Sequence, residues 1–471
     1  MFRAKTWRIA THEGLVQAWS ALGRAFIGGG SRAIASMEQH KLSTENAALS
    51  RLISSFVSLA QLVAPKRLLA FAAHPSVHDF LGRDRIDAAG SWINNVFMLP
   101  WRQRRARQLP RDAETKAYLR EHFCERPFRT LETTHTGLAF CCCPVWLPTP
   151  IGDLASDPAT LWNSPAAREI RDSIVDGSFS HCDHRNCPFI SGRILPRRDS
   201  AEAQEMIAQH QSGAPAPFPT QVVLSHDKSC NLACPSCRSG LYLANKSRQA
   251  SLDSLTETSI LPLLRNAREV VITGSGDAFG SNHFRNVIKR ITSGEFPGLE
   301  IHLHTNGQLM DERAWRDLAL KGHVGSVQIS IDAAQADTYA NVRRPGNFAR
   351  LLKNLAFIKT LRDSGEITHL HFSMVVQTAN FREMPEFVTL GLDHAADIVS
   401  FNMIRQRDVF SRDEFVEAFI GAPDHPQYRA FLDMLHAPEL ASSIVNWGNM
   451  DAFAPPGWLN RDTGEAGRLS A

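Results

Sequence analysis

The chain has 471 residues, of which 43% are hydrophobic, 21% charged and 8% aromatic. That is the make-up of a globular protein of about three domains at roughly 150 residues each, and it excludes disordered, collagen-like and coiled-coil architectures. Fifty-one Lys and Arg against 48 Asp and Glu leave +3 at pH 7, too even a balance for nucleic acid or an anionic membrane as the main partner.

Residues 1–110 read as a helical N-terminal region of unknown role. Apolar residues recur at helical spacing through Leu15, Trp19, Leu22 and Phe26, and again through Leu52, Phe56, Leu59 and Leu62, with Gly28-Gly29-Gly30 between them. The apolar stretch 52–73 is broken by Pro65, Lys66 and Arg67, so no membrane span is expected. His12 and Glu13 interrupt the basic start at Arg3, Lys5 and Arg8 before a signal-peptide core forms, and a cytoplasmic location follows as the expectation. Arg102, Arg104, Arg105 and Arg107 read as a solvated helix face or a linker.

Residues 111–211 form an irregular module holding six of the nine cysteines, at 124, 141, 142, 143, 182 and 187. Ser212-Gly213-Ala214-Pro215-Ala216-Pro217-Phe218-Pro219 has linker composition. From 218 to 405 short apolar strands alternate with helical patterns. The strands are Val222–Leu224, Val270–Ile272, Ile301–His304, Val327–Ile331, His369–Val376 and Ile398–Met403. Helical patterns such as Phe284–Ile291 and Phe348–Thr360 separate them. Six such units predict an α/β fold, a complete or partial (β/α)6 barrel with its chemistry at the C-terminal strand ends. Residues 406–471 read as a helical tail.

No cysteine lies outside 124–237. In a reducing cytosol such clustering points to metal chemistry, not disulfides. The first strand of the barrel runs into Cys230-Asn231-Leu232-Ala233-Cys234-Pro235-Ser236-Cys237, a C-x3-C-x2-C loop. Three thiolates in eight residues can converge on one soft metal centre. A closed zinc site wants four ligands, whereas a cubane iron–sulfur cluster held by three leaves one iron open.

This loop resembles that of the radical S-adenosylmethionine (radical SAM) superfamily. The resemblance implies that Cys230, Cys234 and Cys237 hold a catalytic [4Fe–4S] cluster whose free iron binds the amino and carboxylate groups of SAM. One departure is Ser236, where an aromatic residue is common. Thr273-Gly274-Ser275-Gly276-Asp277 stands in the place of the superfamily's Gly-Gly-Glu-like motif, which implies Ser275, Gly276 and Asp277 beside the SAM amino group. The strand ends His304-Thr305-Asn306-Gly307 and Ser330-Ile331-Asp332 are similar to those lining the SAM site. Asn306, Ser330 and Asp332 are therefore further candidate contacts. Ser330 and Asp332 share a strand face and fit the ribose hydroxyls. Arg343-Arg344-Pro345-Gly346 follows where an arginine pairs with the SAM carboxylate, and Arg344 is the preferred candidate.

In the second cysteine set, Cys124-x12-Gly137-x4-Cys142 looks like the opening of a SPASM or twitch domain, and Cys182-x4-Cys187 closes the set. The resemblance implies one auxiliary [4Fe–4S] cluster on Cys124, Cys142, Cys182 and Cys187, with Cys143 as the alternative to Cys142. Cys141 and Cys143 would point away from Cys142 by strand alternation; His181 and His184 read as surface residues. The module here precedes the barrel, where it ordinarily follows, and it carries fewer cysteines than the full pattern. A structural zinc site is the alternative occupant.

Together these implications describe an enzyme that reductively cleaves SAM to a 5′-deoxyadenosyl radical and abstracts a substrate hydrogen. The electron donor would be a flavodoxin or ferredoxin, and neither nucleic acid nor membrane is expected as a partner. A ribosomally made peptide is the first substrate expectation and a carbohydrate or other small metabolite the second. A non-catalytic zinc-binding interaction protein is the remaining alternative.

Overall fold

The computed structural model describes residues 91, 94–272, 275–406, 409–456 and 458; the helices expected before residue 91 lie outside them. From Asn94 onward the chain forms one compact unit. It opens with Asn94–Met98 and the helix Leu99–Gln108. That helix carries the arginine run: Arg104, Arg105 and Arg107 are exposed, while Arg102 donates to the Pro144 carbonyl at 2.6 Å.

Ten strands make one sheet. They are β1 (Thr130–Thr133), β2 (Leu138–Phe140), β3 (Gly152–Asp153), β4 (Gln221–Leu224), β5 (Glu269–Ile272), β6 (Glu300–Thr305), β7 (Val324–Ser330), β8 (His369–Val376), β9 (Ile398–Met403) and β10 (Val445–Asn446), in the order β10-β9-β8-β7-β6-β5-β4-β1-β2-β3. Strands β4 to β10 run parallel to one another, β1 runs parallel to β4, and only β2 runs against the rest, antiparallel to both β1 and β3. A parallel sheet brings all its C-terminal strand ends to one edge, where α/β folds place their chemistry.

Side-chain alternation gives this sheet two unlike faces. Leu303, Val327, Ile329, Leu370, Phe372 and Val399 are fully buried on the helix-covered face, where the helix Phe348–Asp363 brings Leu351, Leu355 and Ile358. The other face is polar. Its residues His302, His304, Gln328, His371, Ser373, Ser400 and Asn402 follow from the register of β6 to β9. His371 Nε2 lies 2.6 Å from Ser400 Oγ, and His302 Nδ1 lies 2.8 Å from Ser326 Oγ. Parallel sheets packed on both faces read as unbroken apolar runs; this one does not, and its polar face is the one available to a polar ligand.

Two arrangements differ from the sequence reading. The cysteine module is not set apart from the strands that follow, since β1 joins their sheet beside β4 and Thr133 ties the two together. Its Oγ1 donates to the Val223 carbonyl at 3.2 Å and accepts from Ser225 N at 2.9 Å. Nor does the Pro-rich stretch 212–219 hang free. The buried Trp162 donates Nε1 to the Pro217 carbonyl at 2.6 Å, and Asn163 accepts from Ala216 N at 2.7 Å. Composition alone reports the missing amide donors of proline and misses that its carbonyls still accept. The tail contains the helices Arg412–Ala418 and Tyr428–Met434 and also β10, which extends the sheet beside β9.

Candidate metal centres

The loop after β4 gathers the first cysteine set. Cys230, Cys234 and Cys237 pack with Leu232 into a small cluster of their own; Cys230 and Cys234 are buried and Cys237 half-buried. Cys230 N donates to the Tyr242 carbonyl at 2.9 Å, and Cys237 N to the Cys234 carbonyl at 2.9 Å, which closes the loop back on itself.

Each sulfur has a donor aimed at it. Leu232 N lies 3.4 Å and Asn306 Nδ2 3.7 Å from Cys230 Sγ, Arg343 Nη1 3.8 Å from Cys234 Sγ, and Arg238 Nη2 3.7 Å from Cys237 Sγ. Burial pushes the Cys230 thiol up to about 11 and raises that of Cys234. Alone, these groups stay protonated thiols; a bound soft cation makes them thiolates outright. Soft donors, sulfur-directed N–H groups and partial burial all fit an iron–sulfur cluster.

The neighbouring strand ends brace this loop. At Gly276 a Cβ would collide with the carbonyl oxygens of Ser229 and Asp227, so only glycine lets the turn after β5 lie against the cysteine loop. The Asp277 carboxylate is buried and accepts four hydrogen bonds, from Phe279 N (3.0 Å), Gly280 N (2.8 Å), Thr305 Oγ1 (2.8 Å) and Asn306 N (2.7 Å). It locks the ends of β5 and β6 together. Asn306 is buried and bridges Cys230 and Asn231, the latter at 2.9 Å. The Ser275 carbonyl accepts from Arg238 Nη2 at 2.7 Å.

At the end of β7, Ser330 accepts a hydroxyl from Ser373 at 3.3 Å. Asp332 is buried with a left-handed backbone, φ 66°; its carboxylate takes Val375 N at 2.7 Å and Arg343 Nη2 at 2.8 Å. The inward arginine is Arg343, not Arg344. Arg343 is buried between Asp332 and Cys234, whereas Arg344 is exposed and reaches Asn341 at 3.3 Å. Adjacent arginines leaving the helix Ala336–Val342 cannot share one direction, and Arg343 still belongs to its last turn, donating N–H to the Tyr339 carbonyl.

The second set comes together around one small cavity. Cys124, Cys142, Cys182 and Cys187 all line it, with Arg126, Trp146, Leu147, Phe179 and Phe189. Gly137, φ 83°, forms the turn that returns β1 as β2 and so delivers Cys142. Cys182 and Cys187 sit on a tight loop organised by Asp183, whose carbonyl accepts from Cys187 N at 3.0 Å. All four thiols are raised by burial; neighbouring thiols raise Cys124, Cys182 and Cys187 further, while Arg126 lowers Cys142 and Glu132 raises it. Cys187 is pushed up to about 12.

Four thiols around one apolar cavity have the donor chemistry of an iron–sulfur cluster. Cys141 and Cys143 do not line the cavity; Cys141 is wholly buried and held up to about 12. Among the described residues no group of three or more His, Cys, Asp or Glu side chains converges as for a single metal ion. His181, expected at the surface, is instead buried against Thr149 (3.2 Å) and Arg107 (3.4 Å), because the loop that carries Cys182 folds under the first helix.

Sequence reasoning weighed Arg343 and preferred its neighbour, and it missed two residues altogether, Arg238 at the first set and Arg126 at the second. A lone arginine carries no spacing signal, and proximity to a cysteine in sequence was the only available hint.

Residues 224–391 match the radical SAM superfamily, so the chain contains a radical SAM domain, one whose homologues are enzymes. It is 26% identical over 194 residues to a GTP 3′,8-cyclase from Alkaliphilus metalliredigens (strain QYMF), covering 40% of this chain and 58% of that protein. Among solved structures, Streptococcus suis SuiB bound to S-adenosylmethionine is similar at 15% identity, with 44% of this chain and 45% of that one covered and a TM-score of 0.30. The radical S-adenosylmethionine methyltransferase TsrM from Kitasatospora setae is similar at 14% identity, with 40% and 38% covered and a TM-score of 0.30. Among the described residues no helix is long and apolar enough to cross a membrane.

Proposed function

We propose that this chain is a radical SAM enzyme that curves its parallel strands into a partial (β/α)6 barrel and carries a second, auxiliary cluster. The observation that carries the reading is the set of three buried or half-buried thiols on one loop at the C-terminal strand edge, each with an N–H directed at its sulfur. A [4Fe–4S] cluster there would supply one electron to SAM, whose cleavage gives methionine and a 5′-deoxyadenosyl radical. Cys230, Cys234 and Cys237 would hold it. Asn306, Arg238 and Arg343 would hydrogen-bond its cysteine sulfurs, and Arg343, in place of Arg344, would be the arginine beside the SAM carboxylate. Asp277 would position the SAM-binding turn from beneath. Ser330 stands at the end of β7, where the ribose hydroxyls are expected.

Four-thiol coordination by Cys124, Cys142, Cys182 and Cys187 is read as an auxiliary [4Fe–4S] cluster in a SPASM- or twitch-like module. The Gly137 turn and the shared cavity support it. The substrate is proposed to be a ribosomally made peptide, by the resemblance of this cysteine spacing. A small polar metabolite such as a carbohydrate is the second reading, favoured by the polar sheet face. There His304 and His371 are held neutral by burial, at about 4 and about 3.

An acidic one-electron carrier of flavodoxin or ferredoxin type suits the segment 228–252. It holds Lys228, Arg238, Lys246 and Arg248 and no acid, beside the exposed Leu241 and Leu243. A cytoplasmic location is proposed with it. The test is to incubate the anaerobically reconstituted protein with dithionite and SAM. The reading expects 5′-deoxyadenosine from wild type and none from Cys234→Ala; equal yields from both would reject it.

A further inference from the structure

Within the auxiliary cavity one side chain is out of keeping with its surroundings. Arg126 lines a pocket otherwise made of thiols and apolar groups. Its guanidinium carbon lies 5.2 Å from the ring centre of Phe189 and 5.9 Å from that of Trp146, and the two rings meet edge to face at 5.8 Å. Stacking of this kind fixes the guanidinium plane without neutralising its charge. The guanidinium and the Cys142 thiol act on each other electrostatically, the arginine lowering the thiol and the sulfur raising the arginine. The Nε is buried with no hydrogen-bond partner among the described residues.

Among the described residues Arg126 makes no ion pair. The carboxylate that acts on it electrostatically, Glu132, is itself pushed up to about 7 by burial and so gives only part of a counter-charge near neutrality. An arginine cannot shed its proton in a protein. A desolvated, uncompensated cation here costs free energy unless an anion joins it. Four thiolates around a cluster would be that anion.

We propose that Arg126 sets the reduction potential of the cluster held by Cys124, Cys142, Cys182 and Cys187, keeping it higher than the thiolates alone would. The proposal rests on the auxiliary-cluster reading above. A fixed positive charge beside a cluster favours its more negative, reduced form. Low local polarity strengthens this effect, because Trp146, Leu147, Phe179 and Phe189 line the same cavity. Arg126 is thus a positioning and tuning residue, and a raised potential suits a cluster that accepts an electron.

The test uses the full-length chain with Cys230, Cys234 and Cys237 all changed to Ala, leaving one cluster to observe. Iron is counted, and the midpoint potential is read by a redox titration followed by electron paramagnetic resonance, in that background and with Arg126→Gln or Arg126→Lys added. The expected result is about four irons per chain in all three. Arg126→Gln should shift the midpoint to more negative potential, with Arg126→Lys restoring most of the difference. An unchanged midpoint in Arg126→Gln would overturn the proposal, as would loss of iron from that variant, which would make the arginine a structural residue. A parent background without iron would instead sink the auxiliary-cluster reading itself, a failure visible before either arginine variant is compared.

Discussion

Arg343→Met, compared with Arg344→Met, tests how the end of β7 is held. Arg343 Nη2 lies 2.8 Å from the buried Asp332 carboxylate, whose other oxygen takes Val375 N at 2.7 Å. Removing the arginine leaves a buried carboxylate without its counter-charge, a loss of about 3–5 kcal/mol. Arg344 is exposed, so its replacement should stay within about 0.5 kcal/mol. Urea midpoints of the cluster-free protein read both at one pH. A third variant, Arg343→Met with Asp332→Asn, removes both charges together and should recover a large part of the loss, because the two residues are in contact and their effects do not add. Equal costs for the two single variants, or a double variant as unstable as the sum of its parts, would refute the buried pairing and return Arg344 to consideration.

Other expectations follow from the same geometry. Cys182→Ala should lose about four irons yet still form 5′-deoxyadenosine, since the SAM-cleaving cluster has its own ligands; loss of both would show the two sites are one. Asp277→Ala strands the buried Asn306 N–H and Thr305 hydroxyl, at about 1–3 kcal/mol for each. The variant should bind SAM weakly because its cysteine loop loosens, as calorimetry would register. His371 is buried neutral and depressed to about 3. Its contribution is present above the ordinary histidine pKa and lost as pH falls from about 6.5 towards the folded value. His371→Gln should therefore flatten the acid limb of a stability-against-pH curve, and an unchanged limb would count against that burial. Trp162→Ala should cost about 3–5 kcal/mol, since the ring is wholly buried under Arg171 at 4.4 Å and its Nε1 anchors Pro217.

Much of this architecture is legible in the chain. His369–Val376 and Ile398–Met403 coincide with β8 and β9 to the residue, because β-branched and aromatic residues there are bounded by clear turn signals. The C-x3-C-x2-C loop and the strand ends around it were also readable, since glycine and aspartate at fixed offsets encode a backbone path. The joining of β1 to β4 was not readable. Pairing between Leu131 and Val222 closes a connection of some ninety residues, and no local pattern reports a contact of that separation. Short β2, β3 and β10 left too few residues for periodicity to register. The choice between Arg343 and Arg344 turned on the exit angle of one short helix, and Arg126 was silent because its role depends on Trp146 and Phe189 arriving from elsewhere. His181 misled because a histidine between cysteines in a polar loop reads as solvated until the first helix covers it.

The central claim is that two separate thiol sets hold two iron–sulfur clusters and that only the first cleaves SAM. The most direct measurement is iron and sulfide content after anaerobic reconstitution, taken with 5′-deoxyadenosine formation, in wild type and in the chain lacking Cys230, Cys234 and Cys237. About eight irons falling to about four, with deoxyadenosine formation abolished, is the result expected here. Zinc without iron in wild type, and no deoxyadenosine, would contradict the account and leave a protein whose cysteines serve structure alone.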